Sequence, residues 1–195
     1  GKTSCHTGWL KSAGMLLPMG YLIGSGYTNV QGNSDDIASL RDTITGFFNE
    51  NASIPESGTP YYNYGGAVKC LSDGTGDVAF ATGSTVTKYC ENENTNEDWC
   101  LEMERYVKLP AFGKAPSHPI MYNPLKVDST KAAIITAALL SLNDSPEGLE
   151  ILSDVLNTPG LVETNAEDHL GSYGELVQNV PGISTYFNDK YSIEN

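Results

Sequence analysis

Near the start of the chain, Cys5-His6-Thr7-Gly8-Trp9-Leu10-Lys11-Ser12-Ala13-Gly14 gathers a hydroxyl, a cation and two small residues between a cysteine and an apolar run. Thr7 offers an O–H donor and Lys11 an ammonium, while Ala13 and Gly14 leave their backbone N–H groups unshielded by bulk. Met15 to Ile23 then reads as a buried helix containing Pro18. A helix start carries N–H groups with no acceptor one turn back, and its dipole favours negative charge, so this spacing suits a small anion. The same residues also suit an ordinary strand-to-helix turn with an exposed lysine.

The elements that would position this site can be read along the chain. Residues 24–32 are rich in Gly, Ser and Asn and form a loop. Ser34 reads as an N-cap with Asp35 and Asp36 in the first turn, and Ile37, Leu40, Ile44, Phe47 and Phe48 recur at helical spacing. Residues 49–60, with Pro55, Gly58 and Pro60, are a surface loop. Tyr61-Tyr62-Asn63-Tyr64-Gly65-Gly66 turns into a helix, and Asp77 to Thr82 is a short buried strand of the kind found in parallel sheets. The acidic run from Glu91 to Asp98 is expected as a solvated loop closed by Cys90 and Cys100, without calcium-loop spacing.

Further on, Tyr106 to Leu109 reads as a strand, and His118 to Tyr122 as extended, since His118 precedes a proline. The alanine-rich Thr130 to Leu142 is expected as a well-buried helix. Ser145-Pro146 caps and opens the next helix, which Asn157-Thr158-Pro159-Gly160 ends. One more helix is expected near Ser172 to Asn179, followed by a polar tail.

Twenty-four acidic against eleven basic side chains give a net charge of −13. That excess disfavours nucleic acid and a purely electrostatic attachment to anionic lipid. No run reaches the length of a transmembrane helix. No signal peptide is recognisable, which is expected of a mature or trimmed chain. Neither G-x-S-x-G nor a nucleophile–base pairing is visible, so an enzyme is not expected. Four cysteines without C-x-x-C spacing suit two disulfides better than zinc, and disulfides imply an oxidising compartment. Asn51-Ala52-Ser53 and Asn143-Asp144-Ser145 are glycosylation sequons that point the same way.

Ser4-Cys5-His6-Thr7-Gly8, followed after two residues by Lys11-Ser12-Ala13-Gly14, resembles the anion-binding segment of transferrins, which carries arginine at the lysine position. Tyr61 to Leu71, running on to Gly76-Asp77-Val78-Ala79-Phe80, and Pro116-Ser117-His118 are similar to two further transferrin blocks, in the same order. The last third looks more like phosphonate-type periplasmic binding proteins, and this hybrid character is closest to the phytotransferrins of marine algae. The resemblance implies an α/β lobe of the transferrin and type II periplasmic-binding-protein kind, with two subdomains, a ligand cleft and an N-terminal part that would lie before Gly1. Residues 1–115 would form the subdomain carrying the anion motif, and 116–195 a hinge strand and helical return to the second.

The resemblance also implies roles for particular residues. Tyr64 and His118 would ligate Fe(3+); Thr7, Lys11, Ala13 and Gly14 would hold carbonate; Cys5 would pair with Cys70, leaving Cys90 with Cys100. Ferric iron is a hard cation that prefers anionic oxygen and accepts imidazole, so this donor set is chemically coherent. An aspartate and a second tyrosine would come from the missing N-terminal part or a complementing chain. The implied function is carbonate-dependent iron binding at the cell surface for uptake, with release on endosomal acidification and with any membrane anchor outside these residues. The alternative is a metal-free binding protein for phosphate, phosphonate or a similar oxyanion. His6 and His169 are read as structural.

Overall fold

The computed structural model describes residues 1–91 and 97–191. The acidic run expected as a stapled loop, and the end of the tail, lie largely outside the described residues. The chain divides into two compact units: residues 1–115 together with the stretch from Ser172 onward, and residues 116–171.

In the first unit, β1 (Ser4–Cys5) pairs in parallel with β2 (Val78–Ala79), with Ser4 opposite Val78 and Cys5 opposite Ala79. Cys5 also bridges in parallel to Ser53, so β1 has a neighbour on either side. The strand expected over 77–82 is thus present in parallel pairing but only two residues long, and Tyr106–Leu109 is not a strand. Val107 is 80% exposed. Among the described residues the fold is mostly helical, with far less sheet than an α/β lobe implies.

Directly after β1 the chain turns into a short π-helical segment, Ser12–Leu16, that runs into α1 (Leu17–Gly24). Pro18 sits in the first turn of α1, and the Gly14 carbonyl four residues before it, which a proline cannot serve, accepts from His6 Nδ1 instead. α2 (Ser39–Phe47) starts later than Ser34. Asn33 Oδ1 instead accepts from Asp35 N, and Asp36 Oδ1 from Ala38 N, so these short polar side chains hold turns before the helix begins. α3 (Asn63–Ser72) carries the tyrosine block.

Met15, Leu16, Met19, Leu40, Ile44 and Phe48 form the core of this unit with Val177, Val180 and Ile183. Each fully buried aliphatic side chain contributes about 1.5–3 kcal/mol. Gly20 is required here, because a Cβ would collide with the Leu176 carbonyl near the end of α6 (Ala166–Val177). The stretch expected as a polar tail contains α7 (Ile183–Tyr191), whose Ile183 joins this core.

In the second unit, α4 (Ser129–Leu140) is capped by Asp128, whose side chain accepts from Lys131 N. It is a helix, as its composition predicts, but only Ala132 is buried; Ile134 is 64% exposed. α5 (Pro146–Leu156) opens on Ser145, whose hydroxyl accepts from Gly148 N, and closes on Asn157 in the left-handed region at φ 51°. No described helix is long and apolar enough to cross a membrane.

Candidate anion site

The anion motif occupies the turn that follows β1. Cys5 is joined to Cys70 of α3 by a disulfide, with Cα atoms 6.1 Å apart, and Cys90 is joined to Cys100. The backbone of the turn is unusual: Gly8 has φ 138° and Leu10 φ 57°. A leucine in the left-handed region costs on the order of 1 kcal/mol or more and persists only where its surroundings impose it. Across the turn, Asn63 N donates to Thr7 O at 2.8 Å and ties the start of α3 to the motif.

Thr7 is the informative residue. It is 1% exposed, and Oγ1 is the one buried side-chain polar atom without a hydrogen-bond partner among the described residues. A buried hydroxyl left unpaired costs about 1–3 kcal/mol. Thr7 lies against the backbone of Gly14, where a Cβ would strike Oγ1. Gly14 therefore lets the hydroxyl and the opening turn of the helix approach each other. Ser12, Ala13 and Gly14 are the first residues of that turn, where N–H groups have no acceptor within the helix.

His6 braces this arrangement from behind. It is fully buried and stacks on Phe80 at 5.2 Å between ring centres. Nδ1 donates to the Gly14 carbonyl at 2.7 Å, which leaves Nε2 to accept from Ser4 Oγ at 2.9 Å. Burial pushes its pKa down to about 4, partly offset by the Gly14 hydrogen bond, so the ring is neutral at pH 7. Nothing in the sequence marks His6 for this role beyond its place beside Thr7.

Lys11 is exposed, with Nζ 5.1 Å from the centre of the Tyr62 ring. A hydrogen bond from Lys11 holds the Tyr62 phenol below the usual tyrosine range. In the sequence Tyr62 belongs to the Tyr61–Leu71 block, but no motif assigns it a role beside Lys11.

Tyr64 lies in the first turn of α3, half-buried, in the same unit as Thr7 and Lys11. His118 belongs to the second unit and is exposed in an irregular segment. The neighbouring Ser117 carbonyl accepts from His169 Nε2 at 2.9 Å. Among the described residues, no group of three or more His, Cys, Asp or Glu side chains gathers as a metal site. The structure thus sets Thr7 against Gly14 at the helix start that also holds Ala13, with Lys11 in the same turn and its ammonium at the Tyr62 ring, Tyr64 in the same unit and His118 in the other.

Residues 49–108 match the family model described as Transferrin. The chain is similar to a serotransferrin of Paralichthys olivaceus, 33% identical over 143 residues, covering 62% of this chain and 20% of that protein. It is 30% identical to the human lactotransferrin over 161 residues, 69% of this chain and 22% of that protein. The ovotransferrin of Gallus gallus is 33% identical over 125 residues, 54% of this chain and 17% of that protein. The similarity to transferrins is thus carried by part of the chain, which spans about a fifth of the length of these relatives.

Proposed function

We propose that this chain binds ferric iron with carbonate as a synergistic anion and serves iron transport. The observation that carries the reading is the unpartnered, buried Thr7 Oγ1 against Gly14 at a helix start. Its unpaired hydroxyl becomes paired when an oxyanion accepts from it and from the N–H groups of Ala13 and Gly14. Lys11 supplies the balancing charge as a point charge, without the two-pronged grip of arginine. A carbonate held there offers two oxygens to a metal, and Tyr64 as phenolate with His118 as neutral imidazole are the protein donors of this chain in the proposal. As the anion and the metal each raise affinity for the other, the coupling is reciprocal.

The reading extends to a two-subdomain lobe with the ligand in its cleft, completed by a preceding segment or a complementing chain that brings the remaining iron ligands. It places the protein outside the cell or at its surface, as a glycoprotein of phytotransferrin character taken up by endocytosis. Acidification there protonates the carbonate and releases the metal. On this reading the chain binds and carries; it does not catalyse.

The test is an iron titration in bicarbonate-free and bicarbonate-containing buffer, read by the visible charge-transfer band of a ferric tyrosinate. The band develops only with bicarbonate and is lost in Tyr64→Phe, which removes one oxygen donor and little volume. Equal iron binding in both buffers contradicts carbonate synergy. Tight, colourless binding of phosphate or a phosphonate with no iron binding replaces the proposal by the oxyanion-binding alternative.

A further inference from the structure

The two sequons differ in what the fold has done with their side chains. Asn51 is exposed in the turn that precedes Ser53, and its side-chain amide has no hydrogen-bond partner among the described residues. The turn is held without it: Asn51 N donates to the Asn49 side-chain Oδ1, Ser53 N donates to Ser4 O at 2.7 Å, and Ser53 O accepts from His6 N at 2.9 Å. A group attached to Asn51 Nδ2 therefore displaces none of these bonds.

Asn143 is the reverse case. Its Nδ2 donates to the Leu161 carbonyl and its Oδ1 accepts from Leu161 N, both at 2.8 Å. Two bonds to one residue engage the amide edge on which the oxygen and one N–H lie side by side, the edge a glycosyl carbon takes. The sequon hydroxyl is committed as well, since Ser145 Oγ accepts from Gly148 N at 3.0 Å as the cap of α5, with Pro146 immediately after it. A glycan at Asn143 breaks the Leu161 clamp and leaves half-buried polar atoms unpaired, at about 1–3 kcal/mol each.

We infer that Asn51 is an N-glycosylation site of this protein and that Asn143 is not, an inference that rests on the extracellular reading above. In the transfer, Asn51 Nδ2 bonds to the anomeric carbon of an oligosaccharide carried on a polyprenyl diphosphate. The bond from that carbon to the diphosphate oxygen breaks, the lipid diphosphate leaves, and Nδ2 loses one proton. The product is a glycan on an exposed turn, the surface setting such sequons require.

The experiment is secretion of the full chain from eukaryotic cells, followed by intact-mass measurement and peptide mapping after enzymatic removal of N-glycans. One glycan is expected, with Asn51 converted to Asp by deglycosylation and Asn143 unchanged. Asn51→Gln removes the only glycan and Asn143→Gln leaves the glycan count at one. Pro146→Ala, which takes away the proline after the sequon, still yields secreted chain bare at Asn143. A secreted, disulfide-bonded chain that carries sugar at Asn143, or none at Asn51, overturns the inference while leaving the extracellular reading standing. A chain retained inside the cell with free thiols overturns that reading and the inference with it.

Discussion

The first eighty residues and the segment around His118 and α4 carry similar apolar content to different ends. In the first region Met15, Leu16, Met19, Leu40 and Ile44 are buried around the helix that follows the anion motif, and a disulfide ties that motif to α3. In residues 116–171 only Ala132 and Leu152 are buried hydrophobics among the described residues, while Met121, Leu125 and Val162 are more than four-fifths exposed. A site needs its donors held within a fraction of an ångström, and close packing is what holds them. By that measure the turn around Thr7 and Gly14, where the anion is proposed to sit, is held by a packed core and a disulfide, whereas His118 is exposed.

The largest expected effect comes from the disulfide under the cradle. Replacing Cys5 and Cys70 by serine opens a loop spanning 65 residues, worth about 4 kcal/mol by loop-closure entropy. Chemical denaturation of the double variant is expected to reveal that loss, and equal stability would mean that the cradle does not depend on its covalent tie. Next is a matched pair of truncations. Leu40→Ala in the first core is expected to cost about 3 kcal/mol, and Ile134→Ala on exposed α4 less than about 0.5 kcal/mol. A large loss at Ile134 would show that α4 is packed in solution.

His6 gives a pH signature confined to the first region. Its folded pKa, about 4, lies below the ordinary 6.5, so the unfolded chain binds the extra proton first as pH falls. The contribution is fully present above about pH 6.5 and declines towards pH 4, by up to about 3 kcal/mol. Imidazole ¹⁵N shifts are expected to show His6 still neutral at pH 5; a protonated ring at that pH would contradict its burial behind Gly14. A smaller effect is expected at Tyr62, which lies under the Lys11 ammonium. Tyr62→Leu is expected to weaken bicarbonate-dependent iron binding a few-fold, because cation–ring contact is worth about 0.5–1 kcal/mol at an exposed position. Tyr62→Phe, which keeps the ring, is expected to retain most of it, and identical affinities in all three proteins would separate Lys11 from Tyr62.

The same contrast explains what could be read beforehand. Leu40, Ile44 and Phe48 announced their helix face because spacing alone makes a stripe, and Ser145-Pro146 announced α5 because capping chemistry is local. α4 was legible as a helix but not as an exposed one: an apolar composition states what a segment would bury, not whether a partner is at hand. α7 is not legible in the sequence because its polar residues hide the one anchor, Ile183, that the core supplies with neighbours. Within the site, Thr7, Lys11, Ala13 and Gly14 stood out by type and spacing. The Asn63–Thr7 bond, the His6 brace and the Tyr62–Lys11 contact are tertiary and leave no local mark.

Thr7→Val is the most direct test of the anion cradle. The substitution keeps the branched shape of the side chain and exchanges the hydroxyl for a methyl, taking away Oγ1, a buried atom without a partner among the described residues. Removing a buried, unpaired hydroxyl is expected to leave the melting temperature unchanged or to raise it. The same variant is expected to lose at least tenfold in bicarbonate-dependent iron affinity, since one oxyanion donor is gone. Unchanged affinity, or a fall in stability of more than about 1 kcal/mol, would mean that the hydroxyl serves the fold and not an anion.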